Sequence, residues 1–324
     1  MTMAHEALWD TLVQLLKNDI GGEDQFPART PFLAHYTSLD ALENILKNNE
    51  IWFSNPLFMN DLDEVIFGFK HGAARIKNNH VVREALKTEE RHKIFSETLD
   101  YYISNFDAKH LLDTYVFCLS EHDPCNTDGM LSMWRGYGGN GRGAALVFDL
   151  SKLDPVKESP INIVRVNYGS DEERFGWLDD TASIFAKFLA EQHVPDDKLY
   201  FASNMIFHRI KVFSLMSKHH GFREEKEWRF IYMSDGDDSE KFKCMRHYLN
   251  GPRGVEPKLK FRLEPMAGVT PPDFSLDQIL ASILLGPSAS SALAVRSVER
   301  MLELIERPEL KRKLSASSIP LRET

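Results

Sequence analysis

The sequence predicts an α+β protein with a mixed, mainly antiparallel sheet and helices packed around it. Three observations support this class. Short β-prone segments alternate with amphipathic helical segments along the chain. Several predicted strands also follow one another without an intervening helix, which argues against a doubly wound parallel sheet. Finally, 324 residues with 43% hydrophobic content are enough to bury a full core.

Hydrophobic periodicity and turn residues define the individual elements. The predicted strands are 32–36, 51–54, 114–120, 144–148, 161–168, 227–233, 258–263 and 279–285. The predicted helices are 4–17, a segment from Ser38 to Asn48, 62–77, 90–106, 178–192, 199–219 and 291–305. We therefore expect an N-terminal helix and linker over 1–30, a single α+β domain with helical insertions over 31–306, and a flexible tail over 307–324.

The composition excludes several classes of protein. Lys plus Arg is 39 and Asp plus Glu is 48, so the net charge of −9 argues against broad binding to nucleic-acid backbones. A basic stretch over 209–229 fits a local basic groove, but it is more typical of a solvated helix face, which we favour. No apolar run reaches the ~20 residues of a membrane-spanning helix, and the first residues lack the pattern of a secretory signal. Three cysteines are few for a secreted protein, so we expect a soluble cytoplasmic protein.

The cysteines also raise the question of a metal site. Cys118, His122 and Cys125 have metal-ligand spacing, but the fourth ligand that structural zinc sites require is missing nearby. Cys118 stands in an apolar run, where a buried free thiol is ordinary. The sequence therefore predicts a core cysteine and no bound metal.

Four clusters mix charged or titratable groups with polar or aromatic side chains at or beside the ends of predicted elements. They are His35-Tyr36-Thr37-Ser38, Asn60-Asp61-Leu62-Asp63-Glu64, Trp134-Arg135-Gly136-Tyr137-Gly138 and Glu225-Lys226-Glu227-Trp228-Arg229. Side chains gathered at element ends often form ligand clefts. Two plainer interpretations stay open. Asp61 and Glu64 also fit a capping box, and the glycine-rich segment 136–143 also fits a simple loop.

The fourth cluster has the sharpest local pattern. If it is extended, period two places Glu225, Glu227 and Arg229 on one face, with Trp228 directed into the core. Arg229 would keep one carboxylate ionised. The competing interpretation is an ion-pair ladder on a solvated sheet.

Five motifs in order resemble an uncharacterised bacterial family of unknown function. They are His-Tyr-Thr-Ser at 35–38, Asn-Asp-x-x-Glu at 60–64, Trp-Arg-x-Tyr-Gly at 134–138 with a following Gly-x-Gly, Glu-x-Glu-Trp-Arg at 225–229, and Leu-Gly-Pro at 285–287. The resemblance extends over most of the chain. It implies no established activity.

The segment 35–54 is also similar to the entry of ADP-ribosyltransferases. This resemblance implies that His35 holds a ribose of NAD and that Glu227 or Glu225 is catalytic, without a metal. The candidate NAD-binding residues are His35, Tyr36, Thr37, Trp134, Arg135, Tyr137 and Arg229. Arg135 as a pyrophosphate clamp is an inference from its fork geometry. The chain departs from the family pattern after the second strand, where Phe53 and Phe58 replace the expected tyrosine.

Three functional hypotheses follow from these patterns. The first, which we favour, is an NAD-consuming transferase or glycohydrolase, such as a bacterial toxin or phage-defence effector, with an unidentified acceptor. The second is a non-catalytic module that senses a nucleotide or binds a protein. The third is a Mg²⁺-dependent phosphodiesterase or nuclease that uses the carboxylates Asp61, Asp63, Glu64, Glu225 and Glu227. The first requires His35 and Glu227 to face one cleft. The third requires its carboxylates, which are far apart in the sequence, to converge. If neither arrangement is present, the second gains support.

Overall fold

The computed structural model describes residues 31–59, 62–153, 156, 159–192, 194–237, 239–251 and 254–321. These residues divide into two compact units, where the sequence predicted one domain over 31–306. The helical unit comprises 55–114 and 166–223, and the sheet unit comprises 31–54, 115–165 and the residues from 224 onward. The predicted N-terminal helix over 4–17 lies outside the described residues.

The elements are as follows. The strands are β1 (Phe32–Thr37), β2 (Glu50–Ser54), β3 (Thr114–Glu121), β4 (Ala144–Asp149), β5 (Ile161–Arg165), β6 (Asn167–Gly169), β7 (Ser217–His219), β8 (Glu227–Met233), β9 (Arg246–Gly251), β10 (Gly254–Arg262), β11 (Leu280–Leu285) and β12 (Leu314–Ala316). The helices are α1 (Leu39–Asn48), α2 (Leu62–Lys77), α3 (His80–Leu86), α4 (Glu89–Lys109), α5 (Leu131–Gly136), α6 (Asp171–Glu191), α7 (Leu199–Met216), α8 (Leu276–Ile279) and α9 (Ala292–Leu304).

A ten-stranded sheet organises the sheet unit. Its strand order is β12-β11-β4-β1-β3-β2-β10-β9, and β8 pairs with both β3 and β5 beside this path. Most neighbours are antiparallel, whereas β11 and β12 are parallel. This arrangement confirms the predicted α+β class with a mixed, mainly antiparallel sheet.

The two faces of this sheet are distinguished by β1. We call the face that carries Leu33 and His35 the His35 face, and the face that carries Ala34 and Tyr36 the Tyr36 face. The larger core packs on the His35 face and includes Leu33, Ile45, Phe117, Leu146, Trp228 and Tyr232. A smaller core packs on the Tyr36 face, from Ala34, Tyr36, Met133, Trp134, Ala145, Val147 and Leu284. Because both faces are covered, the central strands are apolar on both sides.

The helix after the first strand forms as its sequence predicts. Ser38 is the N-cap of α1, and its hydroxyl accepts a hydrogen bond from the backbone N–H of Ala41 at 3.1 Å. Leu42, Ile45 and Leu46 form the buried stripe of the helix. The helix thereby covers the His35 face and fixes the end of β1.

Two predicted elements are wrong. The segment 161–168 is two strands, because β5 joins the large sheet through β8 whereas β6 pairs with β7 in the helical unit.

The C-terminal segment is a packed part of the fold up to residue 321, not a flexible tail. Strand β12 extends the sheet beside β11, and Leu310 is buried.

The basic stretch over 209–229 is also not a solvated helix face. Arg209, Lys211 and Lys218 are buried in the helical unit and lie against aromatic rings. Aromatic faces attract cations and offset part of the cost of removing them from water.

Candidate functional site

Tyr36 and Trp134 form the centre of the core on the Tyr36 face. Their ring centroids lie 4.8 Å apart in an edge-to-face contact. The phenol oxygen of Tyr36 accepts a hydrogen bond from the N–H of Met130, and the indole of Trp134 donates one to the carbonyl of Asp128. Burial raises the pKa of the Tyr36 phenol. Both side chains were predicted to contact NAD, but the structure places them in the protein core.

The glycine-rich loop packs against the protein backbone. A Cβ at Gly143 would lie 2.1 Å from the carbonyl oxygen of Thr37, and one at Gly286 would lie 2.4 Å from the carbonyl oxygen of Gly141. The Gly286 N–H also donates to the Gly143 carbonyl at 2.9 Å. The glycines therefore permit three of the sequence motifs to pack on one another. Gly136 has no atom near its Cβ position.

His35 lies where β1 and β3 separate. The pairing of these strands ends at Ala34 and Ser120, and the His35 Nδ1 lies 3.0 Å from the carbonyl oxygen of Cys118. Since a carbonyl only accepts, Nδ1 carries the proton and Nε2 presents a lone pair. The ring also contacts Phe117, with 4.4 Å between centroids. Burial lowers the pKa of the imidazole and outweighs the opposing effect of the Cys118 carbonyl.

This environment makes stability depend on pH. The pKa of His35 is lowered in the folded state, so below about pH 6.5 the unfolded chain binds a proton that the folded protein excludes. Stability should therefore fall as the pH drops from 7.5 through 6.5, by up to about 1.4 kcal/mol per pH unit for this group. His35→Asn keeps a donor near Cys118 and should weaken this dependence.

Urea unfolding of wild type and His35→Asn at pH 7.5 and 5.5 measures the difference. His122, whose pKa burial also lowers, should maintain part of the slope in both proteins. Identical slopes would show that His35 does not titrate differently in the folded state.

His35 and Glu227 project from opposite faces of the sheet. Leu33 pairs with Glu121, so the Glu121 side chain lies on the His35 face. The indole N–H of Trp228 donates to this carboxylate at 3.1 Å, which places Trp228 on the same face. Glu227 precedes Trp228 in β8 and therefore points to the Tyr36 face. The predicted cleft shared by His35 and Glu227 is wrong.

Glu227 forms a buried ion pair. Its two carboxylate oxygens accept hydrogen bonds from Nε and a terminal nitrogen of Arg229 at 2.9 and 3.0 Å. The two residues are 5% and 2% exposed, so this is not a ladder on a solvated sheet. Bidentate contact with a guanidinium favours the ionised carboxylate.

Glu225 does not share the strand face with Glu227, contrary to prediction. A 3-10 segment from His220 ends at Glu225, and Lys226 has a φ of 44°, in the left-handed region. Strand β8 begins only at Glu227. The irregular Lys226 directs Glu225 to Tyr137, whose hydroxyl donates to the carboxylate at 3.0 Å.

The structure brings seven of the nine predicted site residues to the side of the Tyr36 face. They are Tyr36, Trp134, Arg135, Tyr137, Glu225, Glu227 and Arg229. His35 and Thr37 project to the other face. Arg135 and Tyr137 are exposed and Glu225 is half-buried. We call these three residues the Arg135 surface.

One polar group on the His35 face was not predicted from the sequence. Glu121 accepts hydrogen bonds from Arg165 at 2.8 Å and from Trp228, and it ties β3, β5 and β8 together. Its position as the last residue of an apolar strand was the available signal. The carboxylates proposed to bind Mg²⁺ at Asp61, Asp63 and Glu64 lie outside the described side chains. Over the rest of the chain, as far as it is described, no group of His, Cys, Asp and Glu is arranged to hold a metal ion.

Comparison with known proteins identifies one family. A family model described as a protein of unknown function (DUF2971) matches residues 133–230, less than a third of the chain. The match includes Trp134, Arg135, Glu227 and Arg229. No curated protein and no solved structure matches the chain. Among the described helices, none has the length and apolar character needed to cross a membrane. Residues 133–230 are therefore similar to a family of unknown function, and two of the five motifs lie within this segment.

Proposed function

We propose that the protein binds a nucleotide at the Arg135 surface and acts as a nucleotide-sensing module. The observation that carries this proposal is the exposed guanidinium of Arg135 two residues from Tyr137, which is hydrogen-bonded to Glu225. A guanidinium binds phosphate oxygens in a fork, and a phenol ring stacks on a base. A carboxylate accepts hydrogen bonds from ribose hydroxyls.

The surrounding structure supports such a role for Arg135. Helix α5 is anchored through Trp134, which is fully buried, so the exposed side chains at the end of the helix have a fixed base. Within the described part of the chain, no carboxylate forms an ion pair with Arg135. A phosphate would therefore not have to displace a carboxylate of the described residues from this guanidinium.

Cleavage of NAD is the second candidate. Glu227 is held ionised by Arg229 on the same side of the sheet as the Arg135 surface. In this reaction the N-glycosidic bond breaks, nicotinamide leaves with the electron pair, and a carboxylate stabilises the oxocarbenium-like ribose until water or another acceptor adds. A cytoplasmic toxin or phage-defence effector would use this chemistry. Glu227 is buried, and His35 lies on the opposite face of the sheet. Both observations favour the nucleotide-sensing module over cleavage of NAD.

Calorimetry with ADP and with NAD tests the proposal. Arg135→Ala should weaken ADP binding about tenfold or more, because hydrogen bonds to charged groups contribute roughly 1.5–3 kcal/mol. Arg296→Ala is the matched control, since it removes an exposed arginine from α9 in the same unit. Equal affinity of wild type and Arg135→Ala would overturn the assignment of the site.

An assay of nicotinamide release separates the two candidates. Binding of NAD without release supports the sensing module. Release by wild type that is lost in a folded Glu227→Gln variant would support the enzyme instead. Failure of both nucleotides to bind would contradict both candidates.

A further inference from the structure

A cavity of about 210 Å³ lies within the helical unit, at the start of α6. It is bounded by β6, β7 and the end of α7, and its lining residues include Tyr168, Arg174, Trp177, Phe213 and Met216. Glu173 also lines it, and its carboxylate accepts a hydrogen bond from the N–H of Ser170 at 2.7 Å. An apolar cavity of about 150 Å³ is large enough to hold benzene. This cavity therefore has room for one aromatic ring with a small substituent.

A buried cation is fixed in the wall of this cavity. The Arg174 side chain is 5% exposed, and its Nε donates to the hydroxyl of Ser217 at 2.9 Å. Its guanidinium carbon lies 3.7 Å from the centre of the Phe67 ring. A terminal nitrogen of Arg174 also lies 3.6 Å from the carboxylate of Asp171. These contacts hold the positive charge in place beside the cavity.

A buried donor lines the same cavity. Trp177 is one helical turn beyond Arg174, so both side chains lie on one face of α6. The indole stacks on Phe213, with 4.7 Å between ring centroids. Its Nε1–H is buried and has no hydrogen-bond acceptor among the described residues. A buried donor without an acceptor costs about 1–3 kcal/mol, which a ligand oxygen would recover.

We propose that this cavity binds a small planar carboxylate built on a single ring. The carboxylate accepts hydrogen bonds from Trp177 Nε1 and from the guanidinium of Arg174. The ring occupies the apolar side of the cavity beside Phe213 and Met216. Neither Arg174 nor Trp177 belongs to the Arg135 surface, so the inference does not depend on the proposed function.

Benzoate binding to the full chain, measured by saturation-transfer NMR and calorimetry, tests this inference. Saturable binding is expected, and Trp177→Phe should weaken it about tenfold because the donor is lost while the stack on Phe213 is kept. Tyr200→Phe is the control, since it changes an exposed ring of α7 away from the cavity. Near-UV circular dichroism establishes that each variant is folded.

Comparison ligands identify which part of the ligand is recognised. Benzyl alcohol keeps the ring without the charge, and acetate keeps the charge without the ring, so both should bind at least tenfold more weakly than benzoate. Absence of saturable benzoate binding to wild type would overturn the inference and indicate a water-filled cavity. Equal affinity of wild type and a folded Trp177→Phe variant would also overturn it.

Discussion

Replacing Gly143 with alanine is expected to lower the free energy of unfolding by about 3 kcal/mol or more, at the upper end of the cost of overpacking. The new Cβ would lie 2.1 Å from the carbonyl oxygen of Thr37 and 2.9 Å from that of Gly138. Both atoms belong to the backbone, so neither can rotate away. Strands β1 and β4 would have to separate at the register pair Thr37 and Ala144. Urea denaturation monitored by circular dichroism measures the change.

Gly136→Ala is the matched control, at the end of α5 in the same glycine-rich segment. No atom lies within 4 Å of its Cβ position, and its φ is not in the left-handed region. Alanine in place of a helical glycine should leave stability unchanged or raise it by roughly 0.5–1 kcal/mol. Equal destabilisation by both substitutions would contradict the view that close backbone approach, rather than loop flexibility, requires Gly143.

The contact of Gly143 with the Thr37 carbonyl illustrates which features of the fold the sequence could predict and which it could not. Period two and period 3.6 identified β8 over Glu227–Met233 and the buried stripe of α1, because these patterns reflect local burial. The glycines of 136–143 showed only that the backbone approaches something closely. They do not distinguish a ligand from the carbonyl group of Thr37, which is distant in the chain.

The face on which each site residue lies also required the structure. Adjacent strand residues such as His35 and Tyr36 point to opposite sides of β1, but this alternation does not show that Trp228 shares the His35 face. That relation depends on the hydrogen bond of Trp228 to Glu121, a contact between residues 107 positions apart. Because the central strands are apolar on both faces, no polar outer side marks their orientation. The backbone conformation of Lys226 also required the structure, because a lysine in the left-handed region has no distinctive sequence signal.

Replacing Glu227 with glutamine is expected to lower the free energy of unfolding by about 3–5 kcal/mol, the usual cost of breaking a buried ion pair by removing one partner. The variant leaves the Arg229 charge in the core, where it is 2% exposed. The glutamine side chain would also place its NH₂ group opposite an N–H of the Arg229 guanidinium, a position that only a hydrogen-bond acceptor can satisfy. Thermal and urea unfolding of wild type and variant provide the measurement.

Glu225→Gln is the control that separates stability from binding. Glu225 is half-buried, and its carboxylate accepts a hydrogen bond from the Tyr137 hydroxyl, which an amide oxygen can also accept. Loss of its charge should cost less than the loss at Glu227, because Glu225 is half-buried whereas Glu227 is 5% exposed. The same change should weaken the binding of ribose hydroxyls. A Glu227→Gln variant as stable as Glu225→Gln would show that the buried pair contributes little. Because the Glu227 variant is expected to be marginal, loss of nicotinamide release indicates catalysis only at temperatures where circular dichroism shows the variant folded.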